Sequence, residues 1–281
     1  MRRAIRIILA LLLLAVSVLP ASAEDVLVLL SLRSNGYREA VAAVKQSCRV
    51  SYREVSLGET PDLDLPRLVR ESRAKAVLAV GDSALRLATA TLPRMPVVGL
   101  LTLESCQVGG RKTVSYQAHP EQYFQVMKQL GRRRVAVIHG AGMSSYVRKA
   151  ESAAARFGIV LVRREIRGVH ELGAALTSLN GQADALWVLP DNAVVTPGTV
   201  EKLFEFASEM KIPAVVFAKN YLKSGAAVAL EPERTMLGGQ AGELVCEALG
   251  LEPAAKPQGA SARFSLHTNK TILRRLDLQL P

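Results

Sequence analysis

The chain has 281 residues, of which 49% are hydrophobic, 22% charged and 5% aromatic, with a formal net charge of +11. That balance excludes disordered, collagen-like and low-complexity classes and leaves a globular protein long enough to bury one or two sizeable cores. Three Cys are too few for a disulfide scaffold.

Arg2, Arg3 and Arg6 open the chain, Ile7 to Val18 carries no charge, and Ala21-Ser22-Ala23 follows Pro20. A basic start, a short apolar run and small residues at its end form the pattern of a cleavable signal peptide over 1–23. The run is shorter than the ~20 residues of a spanning helix. Export of this kind puts the mature chain in the periplasm, an oxidising space. There the odd number of Cys leaves at least one thiol free or paired outside the chain. Cys48 and Cys246, on helix ends or faces, read as small buried apolar residues. The basic residues are scattered, apart from Arg132-Arg133-Arg134 and Arg163-Arg164, and no aromatics interleave with them. They read as a solvated surface, and no nucleic-acid partner is expected.

Strand and helix periods then alternate along the chain. Val26 to Leu30 is an apolar run suited to a strand buried on both faces. Ser34-Asn35-Gly36 turns into a helix from Tyr37 to Lys45, and Val50 to Val55 is a second strand. Leu65 to Ser72 is helical and Ala76 to Val80 is a strand. Gly81-Asp82-Ser83 opens a helix through Thr89, and Pro96 to Leu101 is a strand. Leu101 to Val114 lacks a clear period and marks a crossing. The pattern restarts with a helix from His119 to Leu130, a strand from Val135 to Ile138 and a helix from Ser145 to Phe157. Strands at Val160–Glu165, Ala185–Leu189 and Pro213–Phe217 alternate with helices at Val169–Leu179 and Thr199–Met210. A strand from Ala226 to Leu230, a long helix from Pro232 to Leu249, a linker, a strand at Ala262–Leu266 and a helix at Thr268–Leu276 complete the chain.

This order predicts an α/β protein of two doubly wound parallel-sheet lobes joined by a multi-strand hinge. The expected lobes are 24–113 with 226–258, and 114–225 with 259–281. Ligands of such sheets bind beyond the carboxyl ends of the strands. Those positions hold Ser34, Asn35, Asp82, Ser83, Thr102, Met143, Ser144, Asp191, Asn192, Lys219 and Asn220. Gly81-Asp82-Ser83 and Gly142-Met143-Ser144 stand before helices, whose free N–H donors suit an anionic group. Capping alone explains any one of them; their occurrence on both halves favours a shared cleft. Tyr37, Tyr116 and Tyr221 offer flat walls for stacking. No G-x-G-x-x-G, P-loop, G-x-S-x-G or H-E-x-x-H occurs. His119, His139, His170 and His267 are isolated in sequence, and only His139, after a strand, has a functional case beside a surface or capping role. No catalysis, cofactor or metal is expected.

The stretch from Asp184 through Trp187-Val188-Leu189-Pro190-Asp191-Asn192 to Val195 resembles a segment of ABC-importer substrate-binding proteins related to the tryptophan- and tyrosine-binding ones. Lys211 to Ala218, Tyr221 to Ala226, Leu237 to Gly242 and Asn269-Lys270-Thr271 extend the resemblance, which covers about Val114 to the end. It implies a type I periplasmic-binding fold. It also implies a monomeric receptor that closes on a small molecule and docks on an inner-membrane permease. Asp191 falls at that family's acidic strand end, and the Ser34-Asn35, Gly81-Asp82-Ser83 and Gly142-Met143-Ser144 loops fall on its ligand-facing side. One departure is Lys219-Asn220, where acidic residues are usual, so an anionic or neutral ligand is expected rather than an amino acid. A sensor or chemoreceptor module, or an exported two-lobe enzyme using Asp82 or Asp191 near His139, are the alternatives.

Overall fold

The computed structural model describes residues 24–60, 62–103, 111–253 and 264–280. The expected signal peptide, Cys106 and most of the predicted linker fall outside the described residues.

The first sheet is built around β1 (Val26–Leu30) and β3 (Ala76–Val80), both buried at every position. Unbroken apolar strands need cover on both faces, and a parallel sheet flanked by helices supplies it. β2 (Tyr52–Ser56), β4 (Val97–Thr102) and β5 (Lys112–Ser115) complete it in the order β2-β1-β3-β4-β5, all parallel. Alternate residues serve opposite layers. Val28, Leu30 and Leu78 pack with helix α1 (Asn35–Ser47). Leu27, Leu29 and Val77 pack with α2 (Leu65–Ser72) and α3 (Asp82–Thr91). Ser34 caps α1 by accepting from the Tyr37 N–H, and Asp64 caps α2 through Arg67.

The second sheet runs β11-β10-β9-β8-β6-β7. Its strands are β6 (Arg134–Gly140), β7 (Val160–Ile166), β8 (Ala185–Trp187), β9 (Ala214–Val216), β10 (Val228–Pro232) and β11 (Phe264–Thr268). Among the described residues only the β10–β11 pair is antiparallel. One face packs on α4 (Pro120–Gln129), α5 (Ser144–Arg156) and, through Leu273, α9 (Lys270–Arg275). The other packs on α6 (Leu172–Thr177) and α7 (Val200–Glu209). The expected fold class stands: two parallel-sheet lobes, connected more than once.

Three expectations are corrected. Residues 112–115 form a fifth strand of the first sheet rather than an irregular crossing. β10 pairs with β9 in the second sheet, so 228–232 do not join the first lobe with which they were grouped. The helix that follows, α8 (Arg234–Ala248), does pack on the first lobe: Leu237, Ala241 and Val245 share a cluster with Val41 and Leu78. Cys48 and Cys246 are bonded to each other, not free apolar residues, and clip the end of α1 to α8 across a sequence separation of 198. Burial had suggested packing; pairing required α1 and α8 to be neighbours, which no local pattern reveals.

The α1–α8 contact is unusually close. A Cβ on Gly238 would stand 2.2 Å from the Ala40 carbonyl oxygen, and one on Gly242 2.9 Å from that of Val44. Only glycine lets the two backbones approach this far. With the disulfide, this makes α8 an integral layer of the first lobe although its chain arrives from the second.

Candidate functional site

Strand polarity and the crossings locate the site. β5 ends at Ser115 in the first sheet, and α4 of the second lobe begins at Pro120. β10 ends at Pro232 in the second sheet, and α8 of the first lobe begins at Arg234. Both crossings leave from carboxyl ends and both are short. The crossings therefore leave both sheets on their carboxyl side, the side on which open α/β sheets place ligands.

On the first lobe, Gly81 precedes α3 with φ 84°, and a Cβ there would stand 2.3 Å from the Tyr37 hydroxyl. Glycine is thus required twice, by conformation and by space. Ser31 Oγ accepts from the Ala84 N–H at 2.9 Å and caps α3. Asp82 Oδ1 accepts from Leu103 N–H at 2.7 Å, tying α3 to the end of β4. At that end Leu101 has φ 54° and the β4–β5 register shifts between Leu100 and Thr102. A bulge of this kind re-aims the residues beyond it. Thr102 is fully buried, with no partner for its hydroxyl among the described residues, while its carbonyl oxygen accepts from Tyr116 N–H at 3.0 Å. Ser34 is half-buried as the α1 cap; Asn35 and Ser83 are exposed, accepting from Arg38 and Arg86.

Tyr37 and Tyr116 stand at the hinge side of the cleft. Burial raises both phenols; the Asp82 charge adds to the rise at Tyr37, and Arg234 opposes it at Tyr116. Tyr221, on the 3-10 turn Lys219–Leu222 of the second lobe, packs edge-on against Phe217 at 5.3 Å and is also raised by burial. All three tyrosines stay neutral at physiological pH and keep hydroxyls that donate as well as accept.

On the second lobe, Gly142 and Asn192 are exposed at the ends of β6 and β8. Met143 is buried in the core, its sulfur 3.3 Å from Gln117 Nε2, and Ser144 Oγ at the start of α5 has no partner among the described residues. The Asp191 carboxylate is engaged on both oxygens: Oδ2 accepts from Gly140 N–H at 2.6 Å and Oδ1 from Ala193 N–H at 2.9 Å. It joins the ends of β6 and β8 and shapes the loop that carries Asn192. His139 is wholly buried within β6, Nδ1 beside the Gly140 carbonyl at 3.0 Å, so it is neither a surface nor a capping residue. The sequence reading ended this strand at Ile138 and placed His139 after it, whereas β6 runs to Gly140 with every residue from Val135 on buried.

Sequence reading missed the group at the floor of the cleft. Glu231, at the end of β10, is 6% exposed. Arg234 Nη2 donates to it at 2.7 Å, and Lys219 Nζ and His267 Nε2 stand 3.7 and 3.8 Å away. A lone acid in the apolar run Val228-Ala229-Leu230-Glu231-Pro232 was the signal available, because a buried carboxylate requires paired cations. Lys219 and Asn220 are exposed beside it and also border a hollow of about 680 Å³ with Lys223, His267 and Thr268. A second hollow, near Met95, Lys112 and Leu244, lies at the opposite end of the first sheet, away from the cleft. Among the described residues no group of three or more His, Cys, Asp or Glu could hold a metal, and no helix is long and apolar enough to cross a membrane.

Residues 115–281 match the family described as ABC transporter substrate binding protein. A tyrosine-binding protein of Clostridioides difficile strain R20291 is 30% identical over 120 residues, which are 42% of this chain; the chain spans about a third of that relative's length, 34%. A solved ABC domain in complex with L-Trp from Streptococcus pneumonia superposes with a TM-score of 0.68 at 15% identity, covering 92% of this chain and 96% of that one. A ligand-free, open substrate-binding protein with adhesive properties from Clostridium difficile gives 0.67 at 15% identity, with the same coverage of 92% and 96%. At such identities the two structures speak for the fold.

Proposed function

We propose, since the chain belongs to the ABC transporter substrate-binding protein family, that it is the exported capture subunit of an importer. It holds one small polar metabolite between its lobes and presents the closed form to an inner-membrane permease, working as a periplasmic monomer after loss of residues 1–23. The observation that supports this reading is that two short crossings join the lobes on the carboxyl side of both sheets. A ligand spanning that cleft makes contacts that only the closed state offers, so binding and closure are one equilibrium.

Ser34, Asn35, Tyr37, Gly81, Asp82, Ser83, Thr102 and Tyr116 form the first-lobe side of the proposed site. Gly142, Met143, Ser144, Asp191, Asn192, Lys219 and Asn220 form the second. Their roles divide by exposure: Asn35, Ser83, Asn192, Lys219 and Asn220 present polar groups, while Thr102, Met143 and Asp191 hold the loops from within. The ligands named for its relatives make tyrosine and tryptophan the first compounds to try. Lys219 in the usual acidic position, 61% exposed at its side chain, favours an anionic or neutral ligand instead. Isothermal titration of the mature chain with the common amino acids and a set of small mono- and dicarboxylates tests this. Heat from a carboxylate but from no aromatic amino acid is the expected result. Tight aromatic amino-acid binding overturns the ligand class, and no heat from any polar metabolite overturns the capture role.

A further inference from the structure

Arg234 is the first residue of α8, where the helix dipole favours an acid and opposes a cation. Its surroundings explain its presence. Nη2 donates to Glu231 Oε1 at 2.7 Å and stands 3.5 Å from the Tyr116 hydroxyl. Nη1 is 3.8 Å from Glu39 Oε2 on α1, and the guanidinium carbon is 5.9 Å from the centre of the Tyr116 ring. A Cβ on Gly36 would be 2.8 Å from Nε, so the first turn of α1 leaves room for this side chain.

These contacts belong to parts of the molecule that move separately when the lobes rotate. Glu39 and Gly36 are first-lobe residues, and Tyr116 is bonded through its N–H to Thr102 at the end of β4. Glu231 ends β10 of the second lobe and is held there by Lys219 and His267 at 3.7 and 3.8 Å. Its side chain is 7% exposed, so it keeps a cation close in every lobe arrangement. The Glu39 contact is half-exposed and weak alone; the ring of Tyr116 and the close fit at Gly36 supply the rest of the first-lobe grip.

We propose that Arg234 is a positioning residue that pins the two described crossings together and sets the resting angle between the lobes. A planar fork whose Nη2 bonds Glu231 and reaches the Tyr116 hydroxyl, while Nη1 faces Glu39, fixes their separation, which a single ammonium does not. Ligand affinity depends on it through the fraction of molecules that rest in a geometry able to close.

The test uses the ligand-free mature chain with Cys106→Ser, the native disulfide kept, and spin labels at Ala90→Cys on α3 and Lys149→Cys on α5, both exposed. Pulsed electron paramagnetic resonance reads the distance between lobes. The parent is expected to give one narrow distribution. Arg234→Lys keeps a cation beside Glu231, and with it the fold, but is expected to widen the distribution by roughly twofold. Glu39→Gln, at a half-exposed position, widens it less. A distribution for Arg234→Lys that superposes on the parent overturns the proposal. So does equal widening in Arg67→Lys, a control exposed on α2.

Discussion

Asp191, one of the residues proposed for the site, does structural work at the ends of β6 and β8. Its two oxygens accept from Gly140 and Ala193 N–H groups at 2.6 and 2.9 Å, and the residue is 9% exposed. Replacing it with Ala leaves those donors without their acceptor, an expected loss of about 1–3 kcal/mol read from chemical denaturation. Unchanged stability with abolished binding would instead make Asp191 a direct ligand contact. Asp25 tests the surface electrostatics. Its hydrogen bond from the Lys75 ammonium, and then those from Ser51, hold its carboxyl below the ordinary value of about 3.9. A depressed folded-state value means stability that is present above the ordinary value and lost as pH falls through the folded one. Asp25→Asn should therefore lower the melting temperature at neutral pH, converge with the parent at acid pH where Asp25 is protonated, and so flatten the acid limb. An acid limb identical to the parent's would contradict this. At the same scale, the sequence showed which residues stand at strand ends but not which way they turn. Thr102 and Met143 proved interior because a bulge and a short 3-10 turn, both invisible to periodicity, reorient them.

Elements were the most legible level, and for a physical reason. Leu65–Ser72 and Ala76–Val80 have the bounds that the apolar periods predict, because each is decided by burial along its whole length. β5 was illegible since, of its four residues, only Val114 is buried. An edge strand needs little apolar surface, so the pattern that marks central strands is missing. β10 was read as a strand but assigned to the wrong sheet, because pairing is a property of two segments and not of one. The α1–α8 layer carries the clearest prediction here. Gly238 and Gly242 bring the helices together and Cys48–Cys246 closes a loop through most of the chain. Reduction, or Cys48→Ser with Cys246→Ser, should cost about 2–5 kcal/mol of stability, chiefly through the freedom regained by the unfolded chain. A melting temperature indifferent to reductant would show that helix packing alone holds the layer.

At the scale of the molecule, two parallel-sheet lobes are joined through short crossings at residues 115–120 and 232–234. The order of elements made two lobes legible. The cluster around Glu231 was not, because its pairing with Arg234 three residues on and with Lys219 depends on how β10 is buried, and Tyr116 joins it from 118 residues away in sequence. The proposed capture role requires a ligand to close the gap between the two lobes. The most direct check is small-angle scattering of the mature chain, alone and saturated with whichever compound most raises its melting temperature in a metabolite screen. The radius of gyration should fall on saturation, with no change in molecular mass. A compound that stabilises the protein while leaving that radius unchanged would contradict closure of the two lobes around it.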